Sequence, residues 1–188
     1  GAVAEFAVAG QVGQLLGKVP EAYTTGDVAQ VDSEHLTVFE TVQLADLVCV
    51  VSWSMIISPE MLQIPPRGCA GFHYFMLPKR RGGAPLNWAI IDGLSNSGIT
   101  LFYLDEGIDS GDIVAQRPFD IGDEDTVKDL LDKIVVLAPD LLEEHIDDLE
   151  SGTAARIPQD EAQATVTRRR RPEDGEIDWS KPDLDIYN

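Results

Sequence analysis

Short apolar runs separated by polar turns mark the strands of this sequence. Residues 46–52 (DLVCVVS) form a continuous run rich in β-branched side chains, which is typical of a strand buried on both faces of a parallel sheet. Residues 98–104 (GITLFYL) predict a second such strand. The pattern predicts further strands near residues 27–31 and over residues 68–76 and 113–121. Because Pro118 cannot donate a backbone hydrogen bond, we expect its strand at a sheet edge or a bulge.

Capping residues and prolines mark the helices between these runs. Ser58 followed by Pro59 is typical of an N-cap and a first helical residue. Signals of this kind predict a helix over residues 34–43 (capped by Ser33), a short helix from Pro59 that Pro65-Pro66 ends, and a helix over residues 85–92 that Gly93 ends. Residues 3–9 fit either a strand or the start of a helix.

The longest helix is predicted to begin at Asp125 and to end at Gly152. Pro139 should kink or split it, because proline removes a backbone donor. Its apolar positions recur every three or four residues and predict one buried face, formed by Val127, Leu130, Leu131, Ile134, Ala138, Leu141, Leu142, Ile146 and Leu149.

Strands that alternate with helices predict an α/β fold, with a sheet covered by helices on both sides. Ligands of such sheets bind at the carboxyl ends of the strands. Residues 71–73 and 105–109 both fall near strand ends, so we expect them to share a cleft.

Acidic residues dominate the composition, with 33 Asp and Glu against 14 Lys and Arg and a net charge of −19. The 188 residues suit one domain, and an apolar fraction of 44% is ordinary for a globular protein. The charge indicates either a well-solvated surface or adaptation to a salty cytoplasm. Since such a field repels polyanions, the composition argues against a general nucleic-acid binder.

The remaining composition favours the cytoplasm. Cys49 and Cys69 lie in apolar surroundings without metal-site spacing, which fits free thiols in a reducing compartment. No apolar run reaches the length of a membrane span, and the first residues lack the basic region of a signal peptide. Gly10, Gly13 and Gly17 do not form the dinucleotide-binding fingerprint.

Three motifs in order carry a family resemblance: Gly71-Phe72-His73, then Leu77-Pro78-Lys79-Arg80-Arg81-Gly82, then Asp109-Ser110-Gly111-Asp112-Ile113. They resemble the catalytic core of the formyltransferases that use N10-formyltetrahydrofolate, a family whose members act on methionyl-tRNA and on sugar nucleotides, among other acceptors. The resemblance implies a Rossmann-like formyltransferase fold, with a mostly parallel sheet and helices on both faces.

The resemblance also implies a function. It implies transfer of the formyl group of N10-formyltetrahydrofolate, without a metal, to a primary amine on an amino-sugar nucleotide or methionyl-tRNA. The acidic chain makes tRNA the less favoured acceptor. Two alternatives stay open: a folate- or ligand-binding module that has lost catalysis, and a hydrolase that uses water as the acceptor.

His73 and Asp109 are the catalytic pair that the resemblance implies. Formyl transfer needs a donor to the developing oxyanion and a group that moves protons near neutral pH. Histidine can serve as either, and a nearby carboxylate would orient it and favour its charged form. His73 would stabilise the oxyanion and shuttle a proton, while Asp109 would orient it and help to deprotonate the amine.

Gly71 departs from the family pattern, because it stands where the family has an asparagine that donates to the oxyanion. Three explanations stay open. A backbone amide or a water substitutes for that donor, another side chain such as Asn87 reaches in, or the transfer is inefficient.

Residues 77–85 (LPKRRGGAP) form a basic, glycine-rich loop, and residues 105–112 (DEGIDSGD) form an acidic turn. Glycines let the backbone approach a ligand, and the cations could hold the folate glutamate tail or a phosphate, although an ordinary solvated turn is also possible. The implied cofactor-binding residues are Leu77, Pro78, Lys79, Arg81, Gly82, Gly83 and Asp105. The carboxylates of the acidic turn lack the spacing of a calcium loop.

The resemblance divides the chain into two segments. Residues 1–157 would form a formyltransferase-like catalytic domain without the family's first strand and helix, and residues 158–188 resemble the linker to a second domain. That linker carries a basic cluster, Arg168 to Arg171, which neighbouring acids can neutralise and which tRNA could also contact. His35 and His145 are expected on helix surfaces.

Overall fold

The computed structural model describes residues 6–9, 28–30, 45–51 and 56–188. The described strands are β1 (Phe6–Ala9), β2 (Val28–Gln30), β3 (Leu47–Val50), β4 (Cys69–His73), β5 (Arg81–Gly82), β6 (Asn96–Tyr103), β7 (Ile113–Asp120) and β8 (Val166–Thr167). The described helices are α1 (Pro59–Leu62), α2 (Pro85–Ile91), α3 (Val127–Glu143), α4 (Ile146–Ser151) and α5 (Asp183–Tyr187). The predicted helix over residues 34–43, with His35, lies outside the described residues.

Six of these strands form one sheet in the order β2-β1-β3-β4-β6-β7. The first four are parallel, whereas β6 runs antiparallel to both β4 and β7. The predicted α/β class is confirmed. Residues 6–9 form a strand within the sheet. Strand β7 lies at the edge of the sheet, where no further strand requires the backbone N–H that Pro118 lacks.

The two faces of the sheet bury separate cores, because successive side chains of a strand point in opposite directions. Leu47 and Ala70 pack on one face, with residues of α2, α3 and α4. Val48 and Cys69 pack on the other face, together with the α1 residue Met61. Helices therefore cover both faces, as predicted.

The helix pair α3–α4 corrects two details of the prediction. The first helix continues through Pro139, and the break comes after Glu143. One proline removes a single intrahelical bond, while the buried neighbours Ala138 and Leu141 still pack on the sheet. Leu131 was predicted on the buried face but is 41% exposed, because it projects beyond the stripe that contains Leu130.

The antiparallel direction of β6 changes the expected arrangement of the strand ends. In the register of the sheet, Tyr103 at the end of β6 lies opposite Ala70 near the start of β4, whereas Thr100 lies opposite His73. The acidic turn therefore does not leave the same edge of the sheet as His73. It reaches His73 only because the chain folds back after Tyr103, whose N–H donates to the Asp112 carbonyl oxygen at 2.8 Å.

Substitution of the neighbouring leucines 130 and 131 by alanine tests the orientation of α3. Leu130 is 0% exposed, so Leu130→Ala should lower the free energy of unfolding by about 2–5 kcal/mol. Leu131→Ala, the matched control, should change it by less than about 1 kcal/mol. Urea unfolding followed by circular dichroism measures both. Equal losses would contradict the orientation of this helix.

Candidate active site

His73 ends β4 with its side chain on the face of the sheet that α1 covers. The strand forms because residues 69–73 are an apolar run that packs between β3 and β6. His73 shares its face with Gly71 and, across the register, with Thr100 and Phe102. Its side chain is only 6% exposed, yet it lines a pocket.

Both ring nitrogens of His73 face oxygen acceptors. Nδ1 lies 3.3 Å from Asp109 Oδ2, and Nε2 lies 2.8 Å from the carbonyl oxygen of Arg80. A neutral imidazole carries one N–H and can donate to only one of these oxygens, whereas an imidazolium satisfies both. The structure therefore brings together the two residues predicted as a catalytic pair.

The pKa of His73 lies below its ordinary value of 6.5, and burial of the ring is the main cause. The charge of Asp109 and the contact with the Arg80 carbonyl both raise the pKa, but they only partly offset burial. The expectation that the carboxylate would favour the charged form is confirmed, although burial outweighs this contribution. The imidazole is mainly neutral at neutral pH and keeps a neighbour that stabilises the charged form.

The two residues that contact His73 both have left-handed backbone conformations. The φ angle is 56° at Arg80 and 51° at Asp109. Such angles are uncommon for residues other than glycine and persist when the surrounding structure holds them. At Asp109, the Gly82 N–H donates to the same carboxylate oxygen that faces His73, at 2.7 Å. The basic loop and the acidic turn therefore meet at the imidazole.

The acidic turn is closed by its own first residue. Asp105 Oδ1 accepts hydrogen bonds from the Gly107 N–H at 3.0 Å and from Ser110 Oγ at 2.8 Å. A Cβ at Gly111 would overlap the Tyr103 carbonyl oxygen, so the turn requires glycine there. This tight return is what carries Asp109 across the sheet to His73.

The predicted cofactor-binding residues separate into two groups. Gly82, Gly83 and Asp105 line the pocket, together with His73 and the two other catalytic candidates Gly71 and Asp109. The remaining four do not line it: Leu77 is in the core, Pro78 is half-buried, Lys79 is exposed, and the Arg81 guanidinium is bound within the protein. Asn87 does not line the pocket either.

The Arg81 guanidinium is buried and engaged by two side chains from far along the chain. Its Nε donates to Gln159 Oε1 at 3.0 Å, and its terminal nitrogens donate to both carboxylate oxygens of Glu161 at 3.0 and 2.6 Å. This pair raises the pKa of Arg81 and lowers the pKa of Glu161. The predicted ligand role for the Arg81 side chain does not agree with these contacts.

Residues 159–169, which we call the C-terminal arm, form part of the site although they were predicted to begin a linker. The arm pairs β8 in parallel with β5, and its Thr165 Oγ1 accepts from the Arg80 N–H at 2.9 Å. A Cβ at Gly82 would overlap the Thr167 carbonyl oxygen. The sequence analysis did not predict the arm. Its one signal was the glycine pair Gly82–Gly83, which was expected to let the backbone approach a ligand and instead lets the backbone of the arm come close.

An open pocket of about 750 Å³ lies in front of His73. Its apolar wall is formed by Val50, Ile57, Leu62, Phe102 and Leu104. Its charged residues are Asp105 and Asp109 from the acidic turn and Arg168 and Arg169 from the arm. An apolar cavity with a few polar groups that converge on a titratable residue is typical of a small-molecule site.

Acids partly neutralise the basic cluster at residues 168–171, as predicted. Arg168 forms an ion pair with Asp174 and lies over the Trp88 ring, 5.0 Å from its centre. Asp174 also accepts from the Arg171 N–H at 2.6 Å, and these contacts hold the pKa of Asp174 well below its usual range. The Arg168 guanidinium is therefore held beside the pocket by these contacts, while its side chain stays 55% exposed.

Two negative findings apply to the part of the chain that the structure describes. No helix there has both the length and the apolar character needed to cross a bilayer. The described residues also contain no cluster of three or more His, Cys, Asp or Glu that could hold a metal ion.

Comparison with known proteins gives consistent matches. The formyl transferase family model matches residues 15–146. The methionyl-tRNA formyltransferase of Acetivibrio thermocellus is 41% identical over 143 residues, which cover 76% of this chain and 46% of the relative. The chain therefore spans about half the length of the curated relatives that it matches.

Solved structures share the fold. The methionyl-tRNA formyltransferase from Clostridium thermocellum has a TM-score of 0.69 at 26% identity, over 97% of this chain and 78% of that one. The formyltransferase PseJ from Anoxybacillus kamchatkensis, in complex with UDP-4,6-dideoxy-4-formamido-L-AltNAc and tetrahydrofolate, has a TM-score of 0.73 at 20% identity, over 87% of this chain and 85% of that one.

Asp109→Asn tests the contact between Asp109 and His73. Because the charge of Asp109 raises the pKa of His73, its removal should lower that pKa further below 6.5. Nuclear magnetic resonance of the histidine ring signals measures the titration. Asp105→Asn removes the charge of a second carboxylate of the pocket but keeps the Oδ1 acceptor that closes the acidic turn, so it should leave the titration nearly unchanged. Equal effects of the two variants would contradict the specific contact.

The lowered pKa of His73 also determines how the free energy of unfolding depends on pH. Between the lowered folded pKa and the unfolded value near 6.5, the unfolded chain binds more protons at His73. The free energy of unfolding should therefore fall as the pH is lowered through this window. In Asp109→Asn the contribution of His73 to this loss should extend to lower pH.

Proposed function

Because this chain belongs to the formyl transferase family, we propose that it transfers a formyl group from N10-formyltetrahydrofolate to a primary amine. The observation that carries the proposal is the contact between the buried His73 and the partly buried Asp109, which opens onto a pocket with an apolar wall. The pocket volume of about 750 Å³ lies within the usual range of small-molecule sites, and its apolar side chains suit an aromatic ring.

In the proposed reaction, the acceptor nitrogen forms a bond to the formyl carbon, and the bond from that carbon to N10 of the folate breaks. One proton moves from the acceptor nitrogen to N10. Neutral His73 can take up that proton, and Asp109 stabilises the imidazolium while it exists. The Gly82 N–H, which donates to Asp109, keeps the carboxylate aimed at the ring.

For the acceptor, we favour methionyl-tRNA over an amino-sugar nucleotide. The relatives that share 38–41% identity with this chain are methionyl-tRNA formyltransferases, whereas PseJ shares 20% identity. Arg168 and Arg169 give the pocket a positive edge in a chain of net charge −19, which suits the phosphate that either acceptor carries. Sequence composition alone had favoured the sugar nucleotide.

The proposed compartment is the cytoplasm. Cys49 and Cys69 are free and buried on adjacent strands. Burial raises the pKa of Cys49 to about 12 and that of Cys69 to about 11, so both thiols stay protonated and unreactive. Unpaired thiols of this kind fit a reducing environment.

A transfer assay with labelled N10-formyltetrahydrofolate and each acceptor tests the function. We expect formylated product, and His73→Asn should lower kcat by about 10²- to 10⁴-fold through loss of proton transfer. His145→Asn is the matched control, because His145 lies at the start of α4 and does not line the pocket. Formate release that is independent of any amine would favour the hydrolase alternative, and no product with either acceptor would contradict formyl transfer.

Gly71→Asn tests the departure from the family pattern. A Cβ at residue 71 would lie 3.0 Å from the Val50 carbonyl oxygen and 3.3 Å from Leu104 Cδ2, so any side chain there requires these neighbours to move by a few tenths of an ångström. Gly71→Ala causes the same crowding without adding a donor. Since one oxyanion donor contributes about 10²- to 10³-fold, kcat of Gly71→Asn should exceed that of Gly71→Ala by about 10²-fold. Equal kcat values would count against a missing donor.

A further inference from the structure

The side-chain amide of Gln159 joins the acidic turn (residues 105–112) to the basic loop (residues 77–85). Its Nε2 donates to the carbonyl oxygens of Asp109 and Gly111, each at 2.8 Å. Its Oε1 accepts from Arg81 Nε at 3.0 Å and from a terminal nitrogen of Arg81 at 2.8 Å. Two donor hydrogens and one carbonyl oxygen are all that an amide offers, so each is engaged within the protein.

These two segments supply the two contacts of His73. The acidic turn supplies the Asp109 carboxylate, and Gln159 binds the backbone of that same residue. The basic loop supplies the Arg80 carbonyl, and Gln159 binds the side chain of the next residue, Arg81. Gln159 is thus linked to His73 through Asp109 on one side and through Arg81 and Arg80 on the other, although it does not line the pocket.

Both segments need a support of this kind. Arg80 and Asp109 hold left-handed φ angles of 56° and 51°, which neither residue prefers. The hydrogen bond from the Gly82 N–H to Asp109 joins the two segments directly, and hydrogen bonds from other parts of the chain help to keep them in place. Gln159 is placed to hold the two together, whereas Glu161 contacts only the Arg81 side.

We propose that Gln159 is a positioning residue for formyl transfer, which fixes the Asp109 carboxylate and the Arg80 carbonyl around His73. The expected kinetic effect rests on the proposed function, whereas the contacts of Gln159 do not depend on it. The other charged groups that line the pocket are Asp105 of the acidic turn and Arg168 and Arg169 of the C-terminal arm, and the contacts of Gln159 involve none of them.

Gln159→Met tests the proposal in the 188-residue chain, because methionine keeps the length of the side chain and removes its hydrogen bonds. Gln163→Met is the matched control, since Gln163 is exposed and its Nε2 donates only to Asp160. Glu161→Gln is the second control, because it weakens the hold on Arg81 and leaves the acidic turn untouched. Urea unfolding of each variant establishes the folded fraction.

The first readout is the His73 titration, followed by nuclear magnetic resonance of the ring signals. The sequence has 3 histidines, and comparison with His73→Asn assigns the signal of His73. Release of Asp109 weakens a contact that raises the pKa of His73, so this pKa should fall in Gln159→Met. It should stay at the wild-type value in Gln163→Met and nearly so in Glu161→Gln.

The second readout separates kcat from KM. Misplacement of a catalytic group by about 1 Å lowers the rate by up to about 100-fold, so kcat of Gln159→Met should fall by that order. KM for the folate and for the acceptor should change by less than about threefold, because Gln159 does not line the pocket. A merely structural role would lower only the folded fraction.

A wild-type titration of His73 in folded Gln159→Met would overturn the proposal, as would a kcat equal to that of Gln163→Met. If Gln159→Met does not fold, Gln159→Asn replaces it, since the amide one methylene shorter cannot reach both segments and the same outcomes apply. A wild type that formylates neither acceptor would contradict the proposed function, and the His73 titration would then decide the positioning role alone.

Discussion

A buried imidazole between two oxygen acceptors is the arrangement on which the rest of this site depends. Burial disfavours the charged ring, while Asp109 and the Arg80 carbonyl favour it. The balance leaves His73 neutral but close to a group that stabilises its charged form, which suits a residue that takes up and releases a proton. Any change in the position of either oxygen alters that balance.

The surrounding chain is built to keep those two oxygens in place. Neither Arg80 nor Asp109 has a backbone conformation that it would adopt alone. The C-terminal arm holds the basic loop through β8, Thr165 and the buried Arg81, and it holds the acidic turn through Gln159. Glycines at the contacts allow this approach, since a Cβ at Gly82 or Gly83 would collide with the backbone of the arm.

The arm also changes how the charges of the chain are understood. In the sequence, the basic loop was interpreted as a ligand-binding patch and residues 168–171 as part of a linker. In the structure, the Arg81 guanidinium is engaged inside the protein, while Arg168 and Arg169 line the pocket. The positive edge of the site therefore comes from the C-terminal arm, 80 or more residues beyond the basic loop. These arginines offset the acidic character of the chain only at the pocket.

The sequence by itself determined the features that depend on neighbouring residues. Apolar runs identified the strands, Ser58 and Pro85 identified helix starts, and the family resemblance of the motifs identified His73 and Asp109 as a pair. Only the tertiary structure decided that β6 runs antiparallel to β4, that Asp109 returns across the sheet, and that Arg81 and Gln159 meet 78 residues apart. Periodicity and capping are local properties, whereas these contacts depend on which distant segments pack together, and the pattern of one segment carries no record of its partner.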